Sequence, residues 1–286
     1  MAWSESISRA IAYIEAHLQE PLSVEDIARA AALSPFYFQR GFSMLCDMSV
    51  GEYIRKRRLS QAGVDVLMSE RSIIDIALDY GYDSADGFTK AFTRFHGLTP
   101  TTLRKNGGSV VSFAPLSLKI SLEGGKNMTY RIEKKDAFVV LCRAATFTYE
   151  EGPEKVPAFW QEHFAAGGAQ IVRGLYGINL DERMSGDTFE YLIADPYDPA
   201  VNIPEGFVTR SIPAYIWAVF PCKGKMAESL RTVNKQIFSE WLPANSAYEI
   251  AAGINIERYD DASKYPKGIE DDDYYSEVWI PIKKRA

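Results

Sequence analysis

The chain has 286 residues, of which 47% are hydrophobic and 24% charged, and its formal net charge is −6. This length is sufficient for two domains, each with its own core. The composition excludes a disordered protein, and the acidic balance gives no global sign of a nucleic-acid partner. Three well-separated cysteines predict reduced thiols and a cytoplasmic location, and three scattered histidines predict neither a metal site nor a cofactor. No stretch of apolar residues is long enough to predict a membrane span.

Residues 1–106 show helical patterns and predict an all-α domain that contains two copies of one unit. Each copy opens with Ser-x-x-Asp, at Ser23 and at Ser72, which is typical of a capped helix start. Each copy then breaks and restarts at a second serine, Ser34 or Ser84. A single unit of this kind is equally consistent with a helical hairpin in a core. Two units in series favour tandem helix-turn-helix motifs, whose second helices can enter the major groove of DNA.

The second copy contains "IALDYGYDSADGFTKAFTRFHGLTPTTLR", from Ile76 to Arg104. This stretch resembles the AraC/XylS family of bacterial transcription regulators. Gly81, Gly97 and Pro100 stand where that family has the same residues. The resemblance implies double-stranded promoter DNA and RNA polymerase as partners.

The resemblance also implies which residues read DNA. In the first unit, Gln39 can pair with adenine and Arg40 with guanine, while Phe36 can contact a thymine methyl group. In the second unit, an alanine offers little to recognise a base edge and a carboxylate repels phosphate. The sequence of the second half-site should therefore be recognised less stringently. The residues implied for the second unit are Ser84, Ala85, Asp86 and Lys90.

A basic run lies on the long helix that is predicted to connect the two units. The first 106 residues contain 12 Lys and Arg and 13 Asp and Glu, which is a poor balance for DNA binding. Charge runs usually form solvated helix faces. Beside two reading helices, however, we predict that Arg55, Lys56 and Arg57 contact DNA phosphates, with a steep dependence on salt.

Glycine pairs bound residues 107–127, which we interpret as a linker. Its stretch from Val111 to Leu122 is apolar and predicts an extended segment that packs on one of the domains.

Residues 128–286 predict an α+β domain that contains a second duplication. The order strand, strand, helix, strand, strand occurs twice. Two such ββαββ halves are expected to pair into one sheet, which is backed by helices and leaves a ligand groove along a pseudo-twofold axis.

The last predicted strand, "YYSEVWIPI", places a carboxylate between aromatic residues. Alternation puts Tyr275, Glu277 and Trp279 on one face, and Val278 on the face that takes the helices. A glutamate on a water-facing strand is the plain alternative. A carboxylate inside an aromatic cup can neutralise a bound cation, so we predict that Glu277 faces a positive ligand.

This strand, together with "IPAYIWAVF" and "EWLPANSAYE", resembles the GyrI-like effector-binding domain. That family binds amphiphilic, often cationic aromatic compounds. The ligand-binding residues that we predict on this basis are Glu277, Tyr275, Trp279, Tyr191, Trp217 and Tyr149.

The two resemblances together predict a ligand-responsive bacterial transcription factor without catalytic residues. One alternative is a GyrI-like hydrolase of reactive small molecules, in which the same glutamate acts as general acid or base. Another is a protein that only sequesters toxins. The chain offers no nucleophile–base pair for the first alternative, and the second leaves the DNA-binding half unexplained.

Overall fold

A computed structural model describes residues 3–117, 128–181 and 188–285, and they form two compact units. Of these residues, the first unit contains 3–33 and 48–117, and the second contains 34–47, 128–181 and 188–285. No helix in the described part of the chain has the length and apolarity to span a membrane.

The described part of the first unit is helical and contains no strand. Its helices are α1 (Trp3–Ala16), α2 (Val24–Ala30), α4 (Val50–Met68), α5 (Ile73–Asp79), α6 (Ala85–His96) and α7 (Pro100–Asn106). Helix α3 (Pro35–Cys46) is the second helix of the first predicted helix-turn-helix and belongs to the second unit.

Serine caps begin the repeated helices, as predicted. Ser23 accepts a hydrogen bond from a backbone N–H at the start of α2, and Ser72 does the same for α5, both at 3.1 Å. Ser34 caps α3 at 3.3 Å and Ser84 caps α6 at 3.1 Å. The tandem helix-turn-helix architecture is therefore confirmed by local geometry at all four helix starts.

Residues 107–117 have no regular secondary structure and lie along α4. The backbone N–H of Phe113 donates to Ser60 at 3.0 Å, and that of Leu116 donates to the Tyr53 hydroxyl at 3.1 Å. The predicted extended segment thus packs on the first unit over its described part, while its residues 118–122 lie outside the described residues.

The second unit contains one antiparallel sheet. Its strand order is β1-β6-β9-β8-β3-β4-β2-β5, and β7 pairs with β9. The strands are β1 (Arg131–Lys135), β2 (Phe138–Thr148), β3 (Tyr176–Leu180), β4 (Thr188–Pro196), β5 (Val208–Ile212), β6 (Tyr215–Lys223), β7 (Tyr248–Ile250), β8 (Ile254–Tyr259) and β9 (Tyr275–Lys284).

The two halves of this unit are joined in the middle of the sheet, where β3 pairs with β8. The first half is β1-β2-α8-β3-β4, with α8 at Gly152–Ala165. The second half is β5-β6-α9-β8-β9, with α9 at Met226–Gln236, a π-helical turn at Ile237–Trp241, and β7 as an addition. The predicted ββαββ duplication is confirmed.

Both helices cover the same face of the sheet, which we call the helix face. The Phe220 ring of β6 lies 5.0 Å from the Trp241 ring, and Phe159 of α8 packs with Ile193 of β4. The strand register places Phe220 and Ile193 in one cross-strand row. Val278 pairs with Phe220 in that row and therefore faces the helices, as predicted.

Candidate functional site

The predicted ligand residues lie on two different faces of the sheet. Glu277 pairs with Arg258 of β8 and Trp279 pairs with Ile256, so both side chains lie on the face opposite the helix face. Tyr191 of β4 packs with residues of α8 and lies on the helix face. The structure therefore corrects the prediction that Tyr191 and Glu277 line one groove. Alternation determines which side chains of a single strand share a face. The register of the three strand pairs from β9 to β4 determines which of those faces lie on the same side of the sheet.

Glu277 is buried in a cluster that already supplies its partners. Its carboxylate accepts hydrogen bonds from the Tyr275 hydroxyl at 2.8 Å, Trp279 Nε1 at 2.7 Å and an Arg131 guanidinium N–H at 2.9 Å. Burial acts to raise the pKa of Glu277, but these hydrogen bonds outweigh it and the pKa is lowered. The Trp217 ring lies 6.0 Å from the Trp279 ring. The positive groups beside this carboxylate belong to the chain itself: Arg131, and Arg258 at 3.7 Å.

The helix face carries a second polar constellation, on the two central strands. Gly-Ile-Asn-Leu-Asp ends at Asp181 beside β3, and Gly-Ile-Asn-Ile-Glu ends at Glu257 on β8. The two asparagines, Asn179 and Asn255, face each other across the antiparallel pair. We call Asn179, Asp181, Asn255 and Glu257 the groove floor. Three of the four are buried, and buried polar side chains on central strands are uncommon outside functional sites.

Tyrosines hydrogen-bond to the two acidic groups of the groove floor. The Tyr149 hydroxyl donates to Asp181 at 3.0 Å, and the Tyr259 hydroxyl donates to Glu257 at 2.6 Å. Tyr191 lies beside Tyr259, and burial raises the pKa of both phenols. The site therefore combines carboxylates with neutral phenol rings.

Helix α3 lies on this site within the second unit. A guanidinium N–H of Arg40 donates to Asn255 Oδ1 at 2.6 Å. Burial lowers the pKa of Arg40, while the negative charge of Glu257 acts to raise it. The Phe36 ring stands nearly perpendicular to the Tyr149 ring, with centroids 6.4 Å apart. The helix also packs against α9 and the π-helical turn. An aromatic ring and a cation from the chain itself thus occupy the groove.

The two predicted reading helices consequently differ in exposure. On α3, Phe36 is 3% exposed and Gln39 5% exposed. On α6, the predicted DNA contacts are all exposed, namely Ser84, Ala85, Asp86 and Lys90. The Lys90 ammonium lies 2.8 Å from the Asp86 carboxylate, so the two charges among these contact residues neutralise each other.

The basic run on α4 is divided between the surface and the core. Arg55 is exposed, and Lys56 pairs with Glu52 at 2.6 Å. Arg57 differs from the prediction, because its side chain is 5% exposed and bonds both carboxylate oxygens of Glu15, at 2.9 and 2.7 Å. A phosphate could reach Arg57 only after this ion pair opened, so its role here is structural.

Family models match both parts of the chain. The model described as integron-associated effector binding protein matches residues 131–282, which is more than half of the chain. The chain belongs to this effector-binding family. A helix-turn-helix domain model matches residues 27–106. The protein is thus an AraC-type transcription regulator with a GyrI-like effector-binding domain.

Two bacterial relatives match the helix-turn-helix part of this regulator. It is 38% identical over 104 residues to the regulatory protein SoxS of Escherichia coli, a match that covers 36% of this chain and 97% of SoxS. It is equally 38% identical over 104 residues to the HTH-type transcriptional regulator YbfP of Bacillus subtilis. That match covers 36% of this chain and 35% of YbfP, so the regulator spans about a third of that relative.

Solved structures resemble each part of the regulator. The structure of SAV2435 bound to tetraphenylphosphonium has a TM-score of 0.48 at 17% identity, covering 55% of this chain and 94% of that one. An AraC-type transcriptional regulator from Chromobacterium violaceum has a TM-score of 0.34 at 26% identity, covering 36% of this chain and 95% of that one.

All four residues of the groove floor escaped the sequence predictions for this regulator. Asn179, Asn255 and Glu257 lie in strands that read as ordinary apolar segments. The signal that could have found them is the Gly-Ile-Asn triplet, which occurs once in each half and is followed two positions after the asparagine by an acid. A repeated polar residue at the centre of a duplicated strand marks the pseudo-twofold axis.

Proposed function

We propose that this regulator controls transcription in response to an aromatic organic cation, which binds on the groove floor of the helix face. Promoter DNA is the macromolecular ligand of its two helix-turn-helix units, and RNA polymerase is the partner at the promoter. The observation that carries the ligand class is the occupancy of the groove by Phe36 and Arg40, whose side chains supply an aromatic ring and a guanidinium.

Charge supports this ligand class. Asp181 and Glu257 place two carboxylates at the ends of the groove floor, and the asparagines between them offer carbonyl oxygens as acceptors. A guanidinium or ammonium needs such acceptors when it leaves water. The rings of Tyr149 and Tyr191 add apolar area and a negative π face for a flat cation.

The cluster around Glu277 supports this role less well. Its carboxylate has three donors within 2.9 Å, and one of them is the guanidinium of Arg131. A ligand cation would have to displace an ion pair that is already formed. The lowered pKa of Glu277 also gives no support to a hydrolase, because a general acid at neutral pH requires a raised pKa.

Two glutamate variants test the location and the chemistry of the site. Phenylbutylguanidinium carries the same two groups as Phe36 and Arg40, and phenylbutylurea is its neutral isostere. We expect Glu257→Gln to weaken binding of the guanidinium about tenfold relative to binding of the urea, which corresponds to the loss of about 1.4 kcal/mol. Glu277→Gln is the matched control on the opposite face and should affect neither compound. Isothermal titration calorimetry measures all three proteins.

Three outcomes would contradict the proposal. Equal losses for both compounds in Glu257→Gln would mean that the carboxylate only maintains the shape of the groove. A selective loss in Glu277→Gln would place the cation on the opposite face. Consumption of the guanidinium by the wild-type protein over several hours, followed by chromatography, would show an enzyme.

A further inference from the structure

We infer that the effector and helix α3 compete for the groove floor, so that effector binding releases the first reading helix for DNA. This inference rests on the proposed function, because it concerns the regulation of the same site. Its basis is that two side chains expected to read bases are held at this site: Arg40 donates to Asn255 of the groove floor, and Phe36 packs on Tyr149, which donates to Asp181.

The docked helix cannot read a DNA sequence. Phe36 and Gln39 are almost fully buried, and one guanidinium N–H of Arg40 is bonded to Asn255. Base-edge recognition requires these side chains to reach the major groove. The predicted DNA contacts on α6, Ala85, Asp86 and Lys90, are exposed in the same structure. With α3 docked, only the second DNA element has an accessible reading helix.

The docking of α3 in the groove is expected to be reversible, because it leaves polar atoms of the helix without partners. Within the described residues, Arg40 Nε, Gln39 Nε2 and the Tyr37 hydroxyl are buried and make no hydrogen bond. Buried donors without partners lower the stability of the state that contains them. By contrast, release would return these groups to water or, on DNA, to base edges. The docked state therefore gains from the contacts of Phe36 and Arg40 but loses at three other atoms of the same helix.

Competition between the ligand and α3 for one groove predicts the direction in which the ligand changes DNA affinity. A ligand that binds only the released state raises the population of that state, and so strengthens binding to DNA that carries both elements. By linkage, the two-element DNA must strengthen ligand binding by the same factor. DNA that carries only the second element is read by α6 alone, and its affinity should not respond to the ligand.

The test measures DNA affinity and the state of α3 in the full chain. Phenylbutylguanidinium should strengthen binding of a two-element DNA by about tenfold, or about 1.4 kcal/mol, with no change for DNA that lacks the first element. Asn255→Ala removes the acceptor of Arg40 and should bind the two-element DNA tightly without ligand. Glu257→Gln should act in the same direction, and it serves as a second variant if Asn255→Ala does not fold. Glu277→Gln should respond to the ligand as the wild type does.

Alkylation of Cys46 by iodoacetamide reports the release of α3 directly. This thiol lies in α3, and burial raises its pKa to about 11, which suppresses the reactive thiolate. Ligand or Asn255→Ala should accelerate its alkylation, as measured by peptide mass spectrometry. Cys142 and Cys222 are buried in the sheet and provide internal controls whose rates should not change.

The outcomes separate this inference from the proposed function. Ligand binding without faster Cys46 alkylation, or with weaker binding to the two-element DNA, would overturn the inference and leave the proposed function standing. If the compound does not bind at all, but Asn255→Ala accelerates alkylation and strengthens DNA binding, α3 docking is supported and the proposed ligand class fails. Wild-type behaviour of both groove variants would overturn the competition itself.

Discussion

Replacing Arg57 by alanine should destabilise the first unit and leave the salt dependence of DNA binding unchanged. The side chain of Arg57 is 5% exposed and its guanidinium bonds both oxygens of Glu15, which also accepts a hydrogen bond from Tyr53 at 2.6 Å. Removing one partner of a buried ion pair costs about 3–5 kcal/mol. Because the Glu15 side chain is 22% exposed, we expect a value near the lower limit, about 3 kcal/mol.

The assay is hydrogen exchange of the α4 amides across a denaturant series, because a chain with two units need not unfold in one step. Arg55→Ala, on the exposed side of the same helix, is the matched control and should change the exchange much less than Arg57→Ala does. The double variant Glu15→Leu/Arg57→Met replaces both charges by apolar groups and should recover most of the loss. Wild-type exchange in Arg57→Ala, together with a shallower salt dependence of DNA binding, would refute this reasoning and make Arg57 a phosphate contact.

The same ion pair gives the first unit a dependence on pH. Burial acts to raise the pKa of Glu15, but the hydrogen bonds from Arg57 and Tyr53 outweigh it, so the pKa is lowered on folding. A lowered carboxyl pKa contributes stability above the unfolded value of about 4.3, and this stability is lost as the pH falls through the folded value. Arg57→Ala should therefore lose stability at neutral pH and show a weaker acid dependence than the wild type.

Two further predictions concern Arg55 and Glu277. Arg55→Ala should reduce the slope of log K against log salt by about 0.9, the value for one phosphate contact, without changing sequence preference; an unchanged slope would mean that Arg55 does not contact DNA. Glu277→Gln should lower the free energy of unfolding of the second unit by about 1.5–3 kcal/mol at pH 7, because an amide replaces a carboxylate that accepts charge-assisted hydrogen bonds. Since the pKa of Glu277 is lowered, this difference should shrink as the pH falls through that pKa, and a variant as stable as the wild type would contradict the observed bonding.

Features of the fold that depend on local chemistry could be predicted from the sequence. The four serine caps follow from hydrogen bonds that close within three residues of each helix start. The side chains of Tyr275, Glu277 and Trp279 share a face because alternation is a property of a single strand. The duplication in each part is visible because both copies keep the same spacing of polar and apolar positions.

Features that depend on long-range register could not be predicted. The segment from Phe189 to Ala194 contains side chains of both faces, and only its pairing with β3 shows that Tyr191 belongs with Asn179. The basic run beside two reading helices predicts that Arg57 contacts phosphate, and the sequence does not reveal that Glu15 lies opposite it. In both cases, a contact between residues far apart in the chain decides the role of the side chain.

The position of α3 could not be predicted for a different reason. Its side chains can bind either of two surfaces, base edges in DNA or the groove of the second unit. A guanidinium that can donate to the carbonyl oxygen of guanine can also donate to the carbonyl oxygen of Asn255, and an aromatic ring that can cover a thymine methyl can also pack on Tyr149. A substitution of Arg40 therefore removes a DNA contact and a groove contact together, and the two losses act on DNA affinity with opposite signs. Only substitutions on the groove floor change one without the other, which is why Asn255 and Glu257, and not Arg40, can separate reading from docking.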